Sequence, residues 1–434
     1  MREGDSSLIT HNSSLHLTPE DLEMPRTNKH IAALDIGTTE VRAIVGEITD
    51  SDTLEIIGIG RAPSRGVRKA VVVNIEATVD AIKHAVEEAE MMSGLPIDSA
   101  YVGLGGVQVR GINSRGVIAI SRRNRDITED DVYRVIDQAR SVSVPTDREI
   151  IDVLPQEFTV DGQDGIGNPI GFLGMRLEAC VHVVTSPITA RQNVITSVNR
   201  AGMTVTDTVV NMVAGGEATL SPDEKEYGAA VIDIGADVTN LTVFYRDAIR
   251  HTAVFAMGGN HFTNDIAVGL RTPVPEAEKI KQSEGCALAG LMADGERSRM
   301  VEVPSVGGRQ PRMLSRQILC EILQPRAEEI FSHAAEEIQR AGFDKQILSS
   351  VVLIGGGSLM DGVVEMAEQV LDLPARHGLP DFVGGLTGEI DSPAFATVVG
   401  TMLYGFHKQM NQKRIHSLKD GAPKQPSIWK RWLR

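Results

Sequence analysis

The sequence predicts an α/β protein of two lobes, with an inserted strand-helix-strand-strand subdomain and an amphipathic helix at the C-terminal end. Three observations predict it. An apolar strand running into Asp-Ile-Gly, then a turn and a second β-branched strand, occurs twice, as AALDIGTTEVRAIVG at 32–46 and AAVIDIGADVTNLTVF at 229–244. Between the copies, residues 97–183 change texture. Both tryptophans stand in the closing SIWKRWLR, although the chain as a whole carries a formal net charge of −15.

Taken in order, residues 1–29 are rich in Ser, Thr, Asn and acids and lack periodicity, which predicts a disordered arm. Their early acids and missing apolar core exclude a secretory signal, and no run reaches the roughly 18 apolar residues of a spanning helix, so a cytoplasmic protein is expected. IAALDIG, VRAIVGEI and LEIIGIG are three strands. NIEATVDAIKHAVEEAEMMSG is a helix capped by Asn74, with Ile75, Val79, Ile82, Val86 and Ala89 on one face and Ser93-Gly94 at its end. The inserted unit at 97–183 begins with strand-like YVGLGGVQVRGINSRGVIAI. A helix follows, ITEDDVYRVIDQARSV, with Thr128 and Asp131 in capping-box spacing, and then strands near Arg148–Val160 and Arg176–Thr185. From Tyr227 the opening texture returns. A last helix, SPAFATVVGTMLYGFHKQM, has Ser392 as cap and Pro393 in its first turn, with Phe395, Val399, Met402 and Phe406 on one side.

These elements divide the chain into a first-lobe core at 30–96, 184–226 and 392–412, and the insert at 97–183. A second-lobe core follows at 227–265 and 346–391, with a mostly helical insert at 266–345. A polar linker, 413–425, leads to the terminal segment 426–434. Cys180, Cys286 and Cys320 show no CxxC pairing and read as small core side chains, neither disulfides nor metal ligands. His84, His182, His251 and His261 likewise lack ligand spacing.

A third element, SVVLIGGGSLM at 350–360, is an apolar strand running into three glycines and a serine. Any one of the three would be the ordinary glycine turn of an α/β protein. Together they meet a physical need: backbone N–H groups unobstructed by side chains hold phosphate oxygens best, and two such hairpins facing each other clamp a polyphosphate. The first contributes Asp35, Gly37, Thr38 and Thr39, and the second Asp233, Gly235, Ala236, Asp237, Thr239 and Asn240. Asp35 and Asp233 are placed to hold hydrated Mg²⁺, a hard cation suited to carboxylate and water oxygens. Gly355, Gly356, Gly357 and Ser358 suit an approach to a nucleoside.

The order of DIGTTEVRAIVG, DIGADVTN and LIGGGS resembles the two phosphate motifs and the adenosine motif of the actin, heat-shock chaperone and sugar-kinase superfamily. SRGVRKAVVVNIEATVDAIKHAVEEAE, VLPQEFTVDGQDGIGNP and AIRHTAVFAMGGNHFTNDIAVGLRTP, with the basic terminal helix, are similar to the FtsA family of actin-like bacterial cell-division proteins, over nearly all of 30–434. The resemblance implies an actin-like two-lobed ATPase fold whose insert is the family's own subdomain, with ATP and Mg²⁺ as cofactors. It brings Gly258 and Gly259 to the nucleotide and Glu278 and Lys281 to the nucleoside. As partners it implies the tubulin-like protein FtsZ, further copies of the chain in a filament, and later division proteins through the insert. The second phosphate loop departs from the usual DIGGGTTD, Glu40 replaces a frequent Lys, and Asn211 stands where relatives often carry Glu. Nucleotide binding with weak or absent hydrolysis is expected. A small-molecule kinase or ATPase of the same superfamily is the alternative; it would need a carboxylate base and leaves the tail unexplained. A heat-shock chaperone would continue into a β-rich peptide-binding domain.

From His407 to Arg434 the chain carries eight Lys or Arg and one acid, so the stretch is +7 and the remainder −22. On a helix Ile428, Trp429, Trp432 and Leu433 share one face, with Lys430, Arg431 and Arg434 on the others, an arrangement suited to an anionic membrane interface. At about 1 kcal/mol per basic residue one tail anchors weakly, and a polymer of tails anchors firmly. The expected location is the cytoplasmic face of the inner membrane at the division septum. Docking of the tryptophans on the protein's own core is the alternative. A nucleic-acid partner is not expected, because no basic folded surface accompanies the tail.

Overall fold

The computed structural model describes residues 29–121, 126–308, 310–343 and 349–417. The arm expected up to residue 29 and the terminal segment 426–434 therefore lie outside the described residues, Lys29 apart. Among the described residues no helix is long and apolar enough to cross a membrane.

The Asp-Ile-Gly repeat grows into two sheets of one plan. In the first lobe, His30–Ile36, Glu40–Ile48 and Leu54–Pro63 form an antiparallel meander, and Ser99–Leu104 and Thr204–Val210 add in parallel on the far side of the first strand. In the second, Ala229–Ile234, Thr239–Tyr245 and Ala248–Phe255 make the meander, and Ser350–Ile354 and Ala375–His377 add in parallel. The inner parallel strands, Ser99–Leu104 and Ser350–Ile354, are buried nearly throughout, which is why they read as continuous apolar runs.

Helix Ile75–Ser93 covers one face of the first sheet, burying Val79, Ile82, Val86 and Ala89. Asn74 accepts a hydrogen bond from the Ala77 N–H, and Gly94 closes the helix at φ 70°. The other face packs on Phe395, Val399, Met402 and Leu403, from a short turn and the helix Ala396–Ser417. Helices Gly259–Gly269 and Arg316–Arg340 cover the second sheet with Phe262, Ile266, Leu323, Ile330 and Phe331.

Three boundaries differ from expectation. Ser99–Leu104 belongs to the first sheet, not to the insert: it pairs with Ala33 and Leu34 on one side and with Thr204–Val210 on the other. The insert proper is the sheet of Arg110–Ala119, Arg176–Pro187, Arg148–Val160 and Gln163–Ile166, in that order, backed by helix Glu129–Arg140. Asp131 there accepts from both the N–H (3.0 Å) and the hydroxyl (2.6 Å) of Thr128. Gly384 and Gly385, grouped by sequence with the second lobe, pair with Glu55 and Ile56 at the edge of the first sheet. The helical insert also holds a two-stranded ribbon, Met300–Val303 with Arg312–Ser315. The last helix runs past 412 to Ser417, because NQKRIHS contains no Gly or Pro to stop it.

Candidate functional site

The two Asp-Ile-Gly turns face each other across a cleft of about 730 Å³ between the sheets. Each is a tight hairpin: the Gly37 N–H donates to the Glu40 carbonyl at 3.0 Å, and the Gly235 N–H to the Val238 carbonyl at 2.9 Å. The first turn lines the cleft with Asp35, Gly37, Thr38 and Thr39, and the second with Asp233, Gly235, Ala236 and Asn240. The third element brings Gly355, Gly356 and Gly357 to the same space, and the helical insert brings Glu278 and Lys281, next to Gly259. Gly355 has φ 82°, and a Cβ there would lie 2.3 Å from the Asp233 carboxylate, so only glycine permits this approach.

The remaining sequence candidates stand outside the lining of the cleft. Thr239 is fully buried and donates to the Met257 carbonyl at 2.9 Å. Ser358, also buried, donates to the Gly355 carbonyl at 2.7 Å and shapes that turn. Gly258 packs its backbone against Gly235 and Ala236. The Asp237 carboxylate accepts the Lys69 N–H at 2.9 Å and the Asn260 amide at 2.7 Å, which ties the second hairpin to the first lobe. Thr38 accepts the neighbouring Ala70 N–H at 3.1 Å. Residues 69–70 thus strap the two hairpins together across the mouth of the cleft. The tail residues expected to meet a membrane, from Ile428 to Arg434, lie outside the described residues.

At the centre of the cleft each buried carboxylate is met by an amide. Asn211 donates to Asp35 at 3.4 Å and Asn240 to Asp233 at 3.1 Å. Burial pushes the Asp35 carboxyl up, with Arg42 and Asn211 opposing. Burial also raises Asp233, to about 6; the Asn240 bond opposes this and the charge of Asp35 adds to it. The Oδ1 atoms of Asn211 and Asn240 and the Nε of Arg42 are buried and find no hydrogen-bond partner among the described residues. Buried polar atoms cost free energy unless satisfied, so this part of the cleft is built for a polar occupant. The residues fit the group that the sequence implied: Oδ1 acceptors beside two carboxylates suit the waters of a hydrated cation, and the glycine turns leave room for phosphates. Beside Gly259, Lys281 bonds Glu278 (2.7 Å), the Gly259 carbonyl (3.1 Å) and Thr263 (3.0 Å). Burial pushes Glu278 up, but the bonds from Lys281 and Thr263 outweigh it and hold the carboxyl below its usual range.

Sequence reasoning missed Arg42, Arg61 and Phe395 at the floor of the cleft and the strap at Lys69-Ala70. Strand register could have exposed the first pair. Arg42 sits opposite Asp35 on the adjoining strand, and Arg61 opposite Arg42 on the next.

Two lobes built on one strand plan, each presenting a glycine hairpin to a shared cleft, define an actin-like protein. Solved structures agree: the chain resembles the PilM-PilN type IV pilus biogenesis complex (TM-score 0.63, 16% identity, covering 87% of this chain and 98% of that one). It also resembles MreB5 of Spiroplasma citri bound to ADP (TM-score 0.55, 15% identity, 89% and 99%). Family models for "Cell division protein FtsA" and "SHS2 domain inserted in FTSA" match residues 230–400 and 106–185, the second opening just before the insert's first strand. Relatives named "Cell division protein FtsA" are 44% identical over 414 residues in Pseudomonas aeruginosa, covering 94% of this chain and 98% of the relative, and 35% identical over 415 residues in Escherichia coli K12, covering 93% and 98%. The chain belongs to the FtsA family and is an actin-like cell-division protein.

Proposed function

We propose that the cleft binds ATP with Mg²⁺, and that nucleotide-controlled self-association lets the chain tether an FtsZ ring to the cytoplasmic face of the inner membrane at the septum. The observation that carries the nucleotide reading is the pair of facing hairpins with buried amide oxygens between them that find no hydrogen-bond partner among the described residues. The MreB5 structures, one bound to ADP and one to AMPPNP, support it by likeness of fold. Mg²⁺ would be held through water by Asp35 and Asp233, with Asn211 and Asn240 orienting those waters, and would neutralise phosphate charge. Hydrolysis is slow in this reading, because Asn211 is an amide and takes up no proton.

A kinase reading is disfavoured by the cleft itself, since every carboxylate lining it is engaged. Asp35 and Asp233 meet amides, Glu40 meets Arg42 (2.6 Å), Glu278 meets Lys281, and Asp361 meets Arg316 (2.7 Å). The tether rests on the tail's composition and on avidity: many weak anchors on one filament hold firmly. The insert is the surface proposed for later division proteins.

The test is co-sedimentation with anionic liposomes in ATP and Mg²⁺, comparing the full chain with one stopped before Pro426. Pelleting of the full chain alone supports the tether; equal behaviour of the two at moderate salt ends it.

A further inference from the structure

Two of the three cysteines meet behind the wall of the cleft, and the nucleotide reading uses neither. Cys286 follows the helix Val274–Glu284, and Cys320 stands one turn into the helix Arg316–Arg340. Both are free thiols, 3% and 0% exposed, in a small pocket shared with Met292 and Ala289. The Cys320 thiol donates a hydrogen bond to the Cys286 sulfur. That bond holds Cys286 below the usual thiol range, against burial and with help from the charge of Arg316; it pushes Cys320 up, and burial adds to the rise. Arg316 also fastens the two segments together. Buried one turn before Cys320, it donates to the Glu284 carbonyl at 2.9 Å, to Glu296 at 2.8 Å and to Asp361 at 2.7 Å. Asp361 in turn bridges to Cys286 in parallel, and its carbonyl accepts the Ala287 N–H at 2.7 Å. The backbone on both sides of Cys286 is therefore tied to the start of the helix that carries Cys320. Two small side chains filling a core need none of this; a thiol with a cation beside it and a second thiol in contact are the parts of a redox pair. Among the described residues no third histidine, cysteine or carboxylate completes a metal-ligand set around them. Gly285 and Asp361 line the cleft, so Cys286 lies one residue behind its wall, within reach of a small oxidant.

We propose that Cys286 and Cys320 are a modification site, a dithiol that a peroxide converts to a reversible disulfide joining the cleft wall to the helix Arg316–Arg340. In the first step the Cys286 thiolate attacks a peroxide oxygen and the O–O bond breaks. Cys286 becomes a sulfenic acid, and the hydroxide released takes up the thiol proton as water. In the second the Cys320 sulfur attacks the Cys286 sulfur. The S–O bond breaks, the S–S bond forms, and the Cys320 proton leaves with the hydroxide as water. Two thiols lose two electrons, and one hydrogen peroxide gains them to give two waters. The link would fix Gly285, in the cleft wall, to that helix, whatever ligand the cleft holds.

The experiment treats the folded full chain with hydrogen peroxide, removes the peroxide, alkylates the remaining thiols in urea, and maps every cysteine by mass spectrometry without reduction. The wild type, Cys180→Ser and Cys286→Ala are compared. The reduced wild type offers three thiols. The expected result is a fall from three to one, with a Cys286–Cys320 link inside a single chain and a return to three in dithiothreitol. Cys180→Ser should fall from two to none, because Cys180 stands on the insert strand Arg176–Pro187 and takes no part. Cys286→Ala should form no link within a chain. Should that variant fail to fold, the wild type and Cys180→Ser decide the matter alone. The proposal is overturned if the link forms only after unfolding, if Cys180 is oxidised while Cys286 and Cys320 remain alkylated, or if Cys286 passes to sulfinic acid without joining Cys320.

Discussion

Ala70 sits at φ 55° and Lys69 at φ 50°, two consecutive non-glycine residues in the left-handed region where the chain straps the cleft. Such a conformation costs about 1–2 kcal/mol per residue, and the bonds to Thr38 and Asp237 hold it in place. Ala70→Gly removes the steric cost at the price of a more flexible unfolded chain, so a net gain of about 1 kcal/mol is expected in urea unfolding. A loss would mean that the Ala70 methyl packs better than its backbone suggests. Residues of this kind were not legible in the sequence, because nothing in SRGVRKAV marks a left-handed pair. The Asp-Ile-Gly carboxylates were legible, since a strand running into a glycine turn fixes them locally. Asp237 shows the limit of that legibility. Its place in the loop suggested an acid beside phosphates, and the structure spends it on Lys69 and Asn260, partners that only the assembled lobes bring near.

Among the elements, the crossing of Asn211–Thr219 and Ala396–Ser417 decides how close the closing helix comes to the cleft. A Cβ on Gly400 would lie 1.8 Å from the Ala214 carbonyl oxygen, so the two backbones touch where no side chain fits. Helix propensity alone says that Gly400→Ala should gain about 1 kcal/mol. Overpacking at a backbone contact costs about 1–3 kcal/mol or more, and the helices cannot part without disturbing Phe395 and Thr397 in the cleft wall. We therefore expect net destabilisation of Gly400→Ala by about 2 kcal/mol in chemical unfolding; a stabilised variant would show the crossing to be loose. The helix, its cap and its buried face were readable from Ser392, Pro393 and the Phe395, Val399, Met402 spacing, all local signals. Its contact with Ala214 was not, because register between distant helices leaves no trace in either one. The same reason placed Ser99–Leu104 with the insert: a buried parallel strand carries no mark of which sheet will take it.

At the scale of the molecule, the insert is attached in sequence to the first lobe and fastened in space to the second. Gln156 donates to the Ile249 carbonyl at 2.8 Å, Asn113 to the Arg250 carbonyl at 3.0 Å, and Arg250 pairs with Glu157 at 3.2 Å. Between them His182 is buried, with Nδ1 2.6 Å from Asn113 Oδ1 and Nε2 2.9 Å from the Thr252 hydroxyl. Sequence reasoning assigned this histidine no role, because its partners come from separate strands and from another lobe. Burial, with a smaller contribution from His251, lowers its pKa from 6.5 to about 4. The folded state therefore holds His182 neutral while the unfolded chain takes up a proton below 6.5. Between those values the unfolded state binds more protons, so stability rises with pH and is lost as pH falls through the window. At 1.36 kcal/mol per unit, about 2 kcal/mol should disappear between about pH 7 and pH 5. Urea unfolding at the two pH values is expected to show that loss in the wild type and a reduced loss in His182→Gln, which keeps a polar group without the titration. Equal slopes would place the acid sensitivity outside this junction. A reduced slope with the lobes still folded would make the seam between insert and second lobe the part of the molecule that yields first to acid.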